Sequence, residues 1–162
     1  MSNQQSKRFI NTKNCILSLL FFSFSYNINS MEHPLKEKTP GEFNNSVKIQ
    51  FACLPHYTEG KDFKGENIRN VSQKIRNEVY ESYGIPKASR KQYTIDHYIP
   101  LGLLGTNSKN NLWPQPRTEA KIKDSLENKL RKLVCSGKIS LNGAQKELLE
   151  NNWEEIYEKH KN

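Results

Sequence analysis

Two short runs of β-branched, aromatic and aliphatic residues, 92–98 and 111–113, flank a stretch, 102–110, that holds Gly105, Asn107, Ser108 and Asn110. Runs this short with turn formers between them predict an antiparallel hairpin, because two neighbouring strands can satisfy each other's backbone groups and a lone strand cannot. Pro100 ends the first run, and Pro114 and Pro116 are expected to close the second.

Helical periodicity surrounds the hairpin. Val71, Ile75, Val79 and Tyr83 recur every four residues, Gly84 falls just past the end, and Pro86 blocks continuation. After the hairpin, Thr118 is expected to cap a helix to Cys135, stopped by Gly137, with an apolar stripe of Ile122, Leu126, Leu130, Leu133 and Val134. On that helix Asp124 falls opposite the stripe and Glu127 beside it. A last helix, capped by Ser140, carries Leu141, Ala144, Leu148 or Leu149, Trp153 and Ile156. Residues 47–53 read as a short extended segment. The expected class is α+β, a short antiparallel hairpin packed on a helix with further helices flanking it.

The chain has 162 residues, enough for one domain plus a processed or flexible end. Lys7, Arg8 and Lys13 precede the apolar stretch 15–25, which reads as a secretory signal peptide over residues 1–30 and is too short for a comfortable membrane span. Residues 31–50 are rich in Pro, Gly, Asn and charge without period, a flexible lead-in to a domain at 51–162. The expected product is a secreted or periplasmic monomer, off the membrane once processed. Two cysteines remain after processing, Cys53 and Cys135, and an even pair in an exported chain favours a disulfide. No Cys-x-x-Cys is present, which excludes a zinc knuckle. Residues 61–123 carry 12 basic and 6 acidic side chains, so the positive excess surrounds the hairpin, where a polyanion would dock. Arg90, Lys91, Lys109, Arg117, Lys121 and Lys123 are the expected phosphate contacts.

Asp96 and His97 stand side by side at the end of the first strand. Phosphodiester hydrolysis needs a base for water, a positive centre for the phosphorane and help for the leaving oxygen. His97 has the chemistry of the base. Asp96 offers a hard oxygen ligand for Mg²⁺ or a similar cation, and Asp124 is the best-placed second carboxylate, with Glu127 as its substitute. Asn111 is expected to hold the hairpin by donating and accepting across the loop, fixing His97 in one orientation. Adjacent strand residues point to opposite faces, so Asp96 and His97 share a site only if the strand twists or ends there.

These residues, together with Cys53-x-Pro55-x-Tyr57-Thr58, Tyr83-Gly84-Ile85-Pro86, the run from Ile95 to Leu101, the run from Asn111 to Pro116, Lys123-Asp124-x-Leu126-Glu127, Val134-Cys135-x-Gly137-x-Ile139 and Ala144-Gln145, resemble the HNH endonucleases, the ββα-metal or His-Me finger group. The resemblance is nearest to small secreted bacterial HNH proteins and spans about Cys53 to Trp153. It implies a ββα-metal core and a one-metal endonuclease acting on DNA, with RNA second, and with little sequence choice. His97 matches the base, Asp96 the residue before it that often ligates metal, and Asn111 the central Asn. Asp124 stands near the third position, which is usually His or Asn, and Leu103 and Leu104 stand where glycine is common. The alternative from another class is an inactive nucleic-acid-binding or interaction module on the same scaffold.

Overall fold

The computed structural model describes residues 33–161 except 63 and 152, and leaves out the side chain of residue 154. The expected signal peptide lies outside the described residues. In chain order the elements are α1 Ile49–Ala52, α2 Gln73–Ser82, β1 Tyr93–His97, β2 Leu112–Pro116, α3 Ala120–Cys135, α4 Leu141–Glu150 and α5 Trp153–His160, an α+β arrangement. No helix among the described residues is long and apolar enough to cross a membrane.

The hairpin forms where the two runs predict it. β1 and β2 pair antiparallel from Tyr93 opposite Pro116 to His97 opposite Leu112, and the Tyr98 N–H continues the ladder to the Asn111 carbonyl at 2.7 Å. Pro114 lies inside β2, and Pro116 is its last residue. A two-stranded ladder has only edge strands, so alternate positions tolerate a residue without an N–H. The turn is fixed at Gly105: a Cβ there would stand 1.8 Å from the Ile99 carbonyl oxygen, so only glycine fits.

α2 starts at Ser72, whose hydroxyl accepts from the Ile75 N–H at 3.3 Å. It ends at Gly84, φ +70°, with the Ile85 N–H returning to the Tyr80 carbonyl at 2.9 Å. α3 differs from expectation at its start and on its face. Its cap position is Glu119, not Thr118, and its buried positions are Lys123, Leu126, Leu130 and Val134. Ile122, expected in the stripe, is exposed. Lys123 has taken the inward position because two carboxylates await it there. The expected last helix is two: α4, capped by the Ser140 hydroxyl on the Gly143 N–H at 3.0 Å, ends at the extended Asn151, and α5 begins at buried Trp153. The core gathers Trp113, Leu103, Leu112, Leu126, Leu130, Leu148 and Ile156 between the hairpin and α3–α5.

Residues 33–50, expected to be flexible, are packed on the hairpin. The buried Thr39 hydroxyl donates to the Leu112 carbonyl at 2.9 Å and lies 2.7 Å from the Tyr83 hydroxyl. The Gly41 N–H donates to the Asn110 carbonyl and the Asn44 N–H to that of Leu104. Glu42 accepts from the hydroxyls of Thr106 and Ser108 and the amide of Asn110, bonds that outweigh its desolvation and hold its carboxyl below the usual range. A loop with so many backbone groups to satisfy recruits a polar strap, which composition alone reports only as polarity. Within 47–53 the backbone turns into α1, not an extended segment.

Cys53 and Cys135 form a disulfide, Cα atoms 5.6 Å apart, tying the end of α1 to the end of α3 across 82 residues of sequence. Replacing both cysteines by serine should lower stability by about 2–4 kcal/mol. Urea midpoints with and without reductant check this, and an unmoved midpoint rejects it.

Candidate functional site

Strand alternation separates the two central residues: Asp96 faces α3, and His97 faces the loop that carries Asn107. On the first face, Lys123 Nζ is buried, 1% exposed, and its three donors are all matched. It donates to Asp96 Oδ2 at 2.6 Å, to the His97 carbonyl at 2.7 Å and to Glu127 Oε1. The Trp153 ring lies 5.3 Å from the same ammonium. Burial disfavours the Lys123 charge, but the Asp96 and Glu127 carboxylates outweigh burial and raise its pKa above the ordinary range. For Asp96, too, desolvation is outweighed by Lys123, and its carboxyl is held low. Glu127 is the loser of the shared cation: burial pushes it up to about 7, Lys123 only partly offsets that, and the Asp96 charge adds to it.

On the other face His97 is 3% exposed and its Nε2 lies 2.9 Å from Asn107 Oδ1. The Asn107 amide donates from Nδ2 to the Ile68 carbonyl at 2.8 Å, so Oδ1 is the atom offered to the imidazole and Nε2 carries the hydrogen. Desolvation lowers the His97 pKa to about 4; the Asn107 bond and Asp96 oppose this, and Arg69 and Lys123 add to it. The ring is therefore neutral at pH 7 with its lone pair on Nδ1. That nitrogen has no hydrogen-bond partner among the described residues, and it is not one of the fully enclosed unpaired side-chain atoms, Trp113 Nε1 and Gln115 Nε2.

Asn111, fully buried, donates from Nδ2 to the carbonyls of Ile99 and Thr106, both at 2.9 Å, and accepts at Oδ1 from the Ile99 N–H at 2.8 Å. It pins the loop after β1. The side chain that orients His97 is Asn107, which the sequence offered only as a turn former.

A cavity of ≈350 Å³ opens beside this assembly, and its walls include His56, Glu59, Arg69, Asp124, Glu127 and Arg131. Asp124 is exposed on α3, and its charge helps to raise Glu127. Asp96 and His97 are not in the cavity wall, so the structure does not bring Asp96, His97 and Asp124 onto one point. Glu127 links the two regions, shared between Lys123 and the cavity. Arg131 is held there by donating to the carbonyls of Ala52 and Leu54, both at 2.8 Å. His56, Arg69 and Arg131 carried no sequence signal, since no period or motif marks them.

The expected phosphate contacts divide. Lys123 is corrected: it is internal and spent on two carboxylates. Arg90 is mostly covered, stacks over Tyr80 at 5.0 Å and donates to Asn77 Oδ1 at 3.0 Å. Lys109 pairs with Glu78 at 3.3 Å. Lys91, Arg117 and Lys121 are exposed. Arg117 Nε donates to the Lys91 carbonyl at the Tyr93–Pro116 end of the ladder. Four residues at about 3.3 Å each put that end roughly 13 Å from His97.

For a divalent ion in this cavity, Asp96 does not fit, because it is absent from the wall and one of its carboxylate oxygens is held by Lys123. Asp124 and Glu127 do fit: both line the cavity three residues apart on one helix, and Lys123 takes only Oε1 of Glu127, leaving Oε2 and the Asp124 carboxylate as hard oxygen donors. Among the described residues no group of three or more His, Cys, Asp or Glu is gathered for a metal. Mg²⁺ characteristically takes one or two carboxylates and completes its shell with water and substrate phosphate. No protein-family model, characterised protein or solved structure matches this chain.

Lys123→Met should destabilise the fold by about 3–5 kcal/mol, since it leaves two carboxylates without their cation. Urea unfolding at pH 7 measures this, and adding Asp96→Asn and Glu127→Gln should recover part of the loss. For His97 the folded pKa lies below the unfolded one, so its contribution is present above about pH 6.5 and is lost as pH falls toward 4. The stability gap between wild type and His97→Gln should shrink by roughly 3 kcal/mol between pH 7 and pH 4. A gap independent of pH sinks this.

Proposed function

We propose that this chain is a metal-dependent endonuclease of the HNH kind, hydrolysing phosphodiester bonds in DNA first and RNA second, exported and monomeric. The observation that carries the reading is the neutral His97 imidazole, locked by Asn107 at Nε2 and within reach of the charge of Arg69, which lines a cavity that also holds Arg131, Asp124 and Glu127. In this reading His97 Nδ1 takes the proton of the attacking water. Arg69 and Arg131 place positive charge on the phosphate. Asp124 and Glu127 would hold Mg²⁺, which when bound supplies charge for the phosphorane and the departing 3′ oxygen. Asn111 keeps the loop after β1 in register with His97. Lys91, Arg117 and Lys121 contact flanking phosphates without reading bases, so binding is salt-sensitive.

A second reading has its own observation. Asp96 is engaged by Lys123 and His97 is only 3% exposed, which suits a nucleic-acid-binding module that keeps the scaffold without turnover. One assay separates the two. With Mg²⁺, the nuclease nicks supercoiled plasmid, loses nicking in chelator, and loses roughly 10²–10⁴-fold on His97→Ala. Retention of plasmid without nicking under any divalent ion selects the binding module. Nicking unchanged by His97→Ala rejects His97 as the base.

A further inference from the structure

We propose that His56 is the proton donor to the leaving oxygen in this cavity, an assignment that rests on the nuclease reading. Departure of the 3′ oxygen as a free alkoxide is slow, and a positioned acid removes that obstacle. His97 is not suited to the task, because its Nε2 hydrogen is bound to Asn107 and its other nitrogen accepts. Glu127 is bound to Lys123, and Arg131 is fixed on two backbone carbonyls.

His56 stands in the same cavity wall, on the loop between Cys53 and Tyr57. Its ring is exposed, and Nδ1 lies 3.2 Å from Glu59 Oε2, a carboxylate that orients the imidazole and leaves Nε2 as its uncommitted nitrogen. The charged groups sharing these walls are Glu59, Asp124, Glu127, Arg69 and Arg131. His56 also adopts φ +57°, a left-handed backbone that glycine takes freely and a histidine takes under strain. The Cys53–Cys135 bond ties the chain three residues before His56 to the end of α3, the helix that also carries Asp124 and Glu127.

The step balances. The water oxygen bonds to phosphorus as its proton passes to His97 Nδ1. The bond from phosphorus to O3′ breaks with its electron pair on O3′, which takes the proton from His56 Nε2. Exchange with solvent resets both imidazoles.

His56→Gly separates chemistry from folding, since glycine relieves the left-handed strain and should leave Tm equal or higher. His56→Asn repeats the test with a side chain that tolerates the same backbone but supplies no acid proton. Each variant is assayed with Mg²⁺ on plasmid DNA and on bis(p-nitrophenyl) phosphate, whose leaving group needs no proton. Plasmid cleavage should fall about 10²-fold, while hydrolysis of the aryl diester falls less than about threefold. An equal loss on both substrates, or no loss on plasmid, overturns the assignment of His56 and leaves the nuclease standing. A wild-type protein that cuts neither substrate overturns the nuclease reading itself, and this assignment with it.

Discussion

A single buried ammonium organises the centre of this molecule. Lys123 binds the side chain of Asp96, the main chain of His97 and the side chain of Glu127, so one donor group fastens the end of β1 to the first turns of α3. A charge so enclosed is tolerable only with its partners in place, which makes the strand–helix packing angle hard to change without a large loss. Two carboxylates sharing one ammonium leave an excess negative charge, and it falls on Glu127, the member that also borders the cavity. The same contact that holds the fold therefore sets the protonation of a cavity residue.

The loop after β1 is built to a similar standard from neutral groups. Asn111 satisfies four backbone partners across it, Gly105 lets the Ile99 carbonyl approach, and Glu42 receives three donors from its outer side. His97 hangs between these supports, with Asn107 choosing its tautomer. Burial keeps the ring neutral and its remaining nitrogen basic in form, an arrangement made by the loop and not by the acid next to it in sequence.

Much of the framework was legible beforehand because it is local. The hairpin, the Ser140 cap, the stop at Gly84 and the end of α3 at Cys135 follow from turn chemistry and helical period. Pairing of Cys53 with Cys135 followed from their being the only two left. The errors have a common origin. Ile122 was placed inward and Lys123 on the surface because hydropathy ranks side chains singly, whereas burial of Lys123 depends on Asp96 from another element. Residues 33–50 looked flexible because their order comes from a loop some 60 residues onward. Thr118 offered a capping hydroxyl, but the backbone turned one residue later.

By itself the sequence determined the antiparallel hairpin and the helices before and after it, that Asp96 and His97 end a strand, and that Asn111 closes the loop behind them. Only the tertiary structure decided what those residues face. Alternation along β1 sends Asp96 to Lys123 and His97 to Asn107, and the folded loop brings His56, Arg69 and Arg131 to a cavity they share with Asp124 and Glu127. The physical reason is that charge partnership and desolvation depend on neighbours distant in the chain, and no local pattern encodes those.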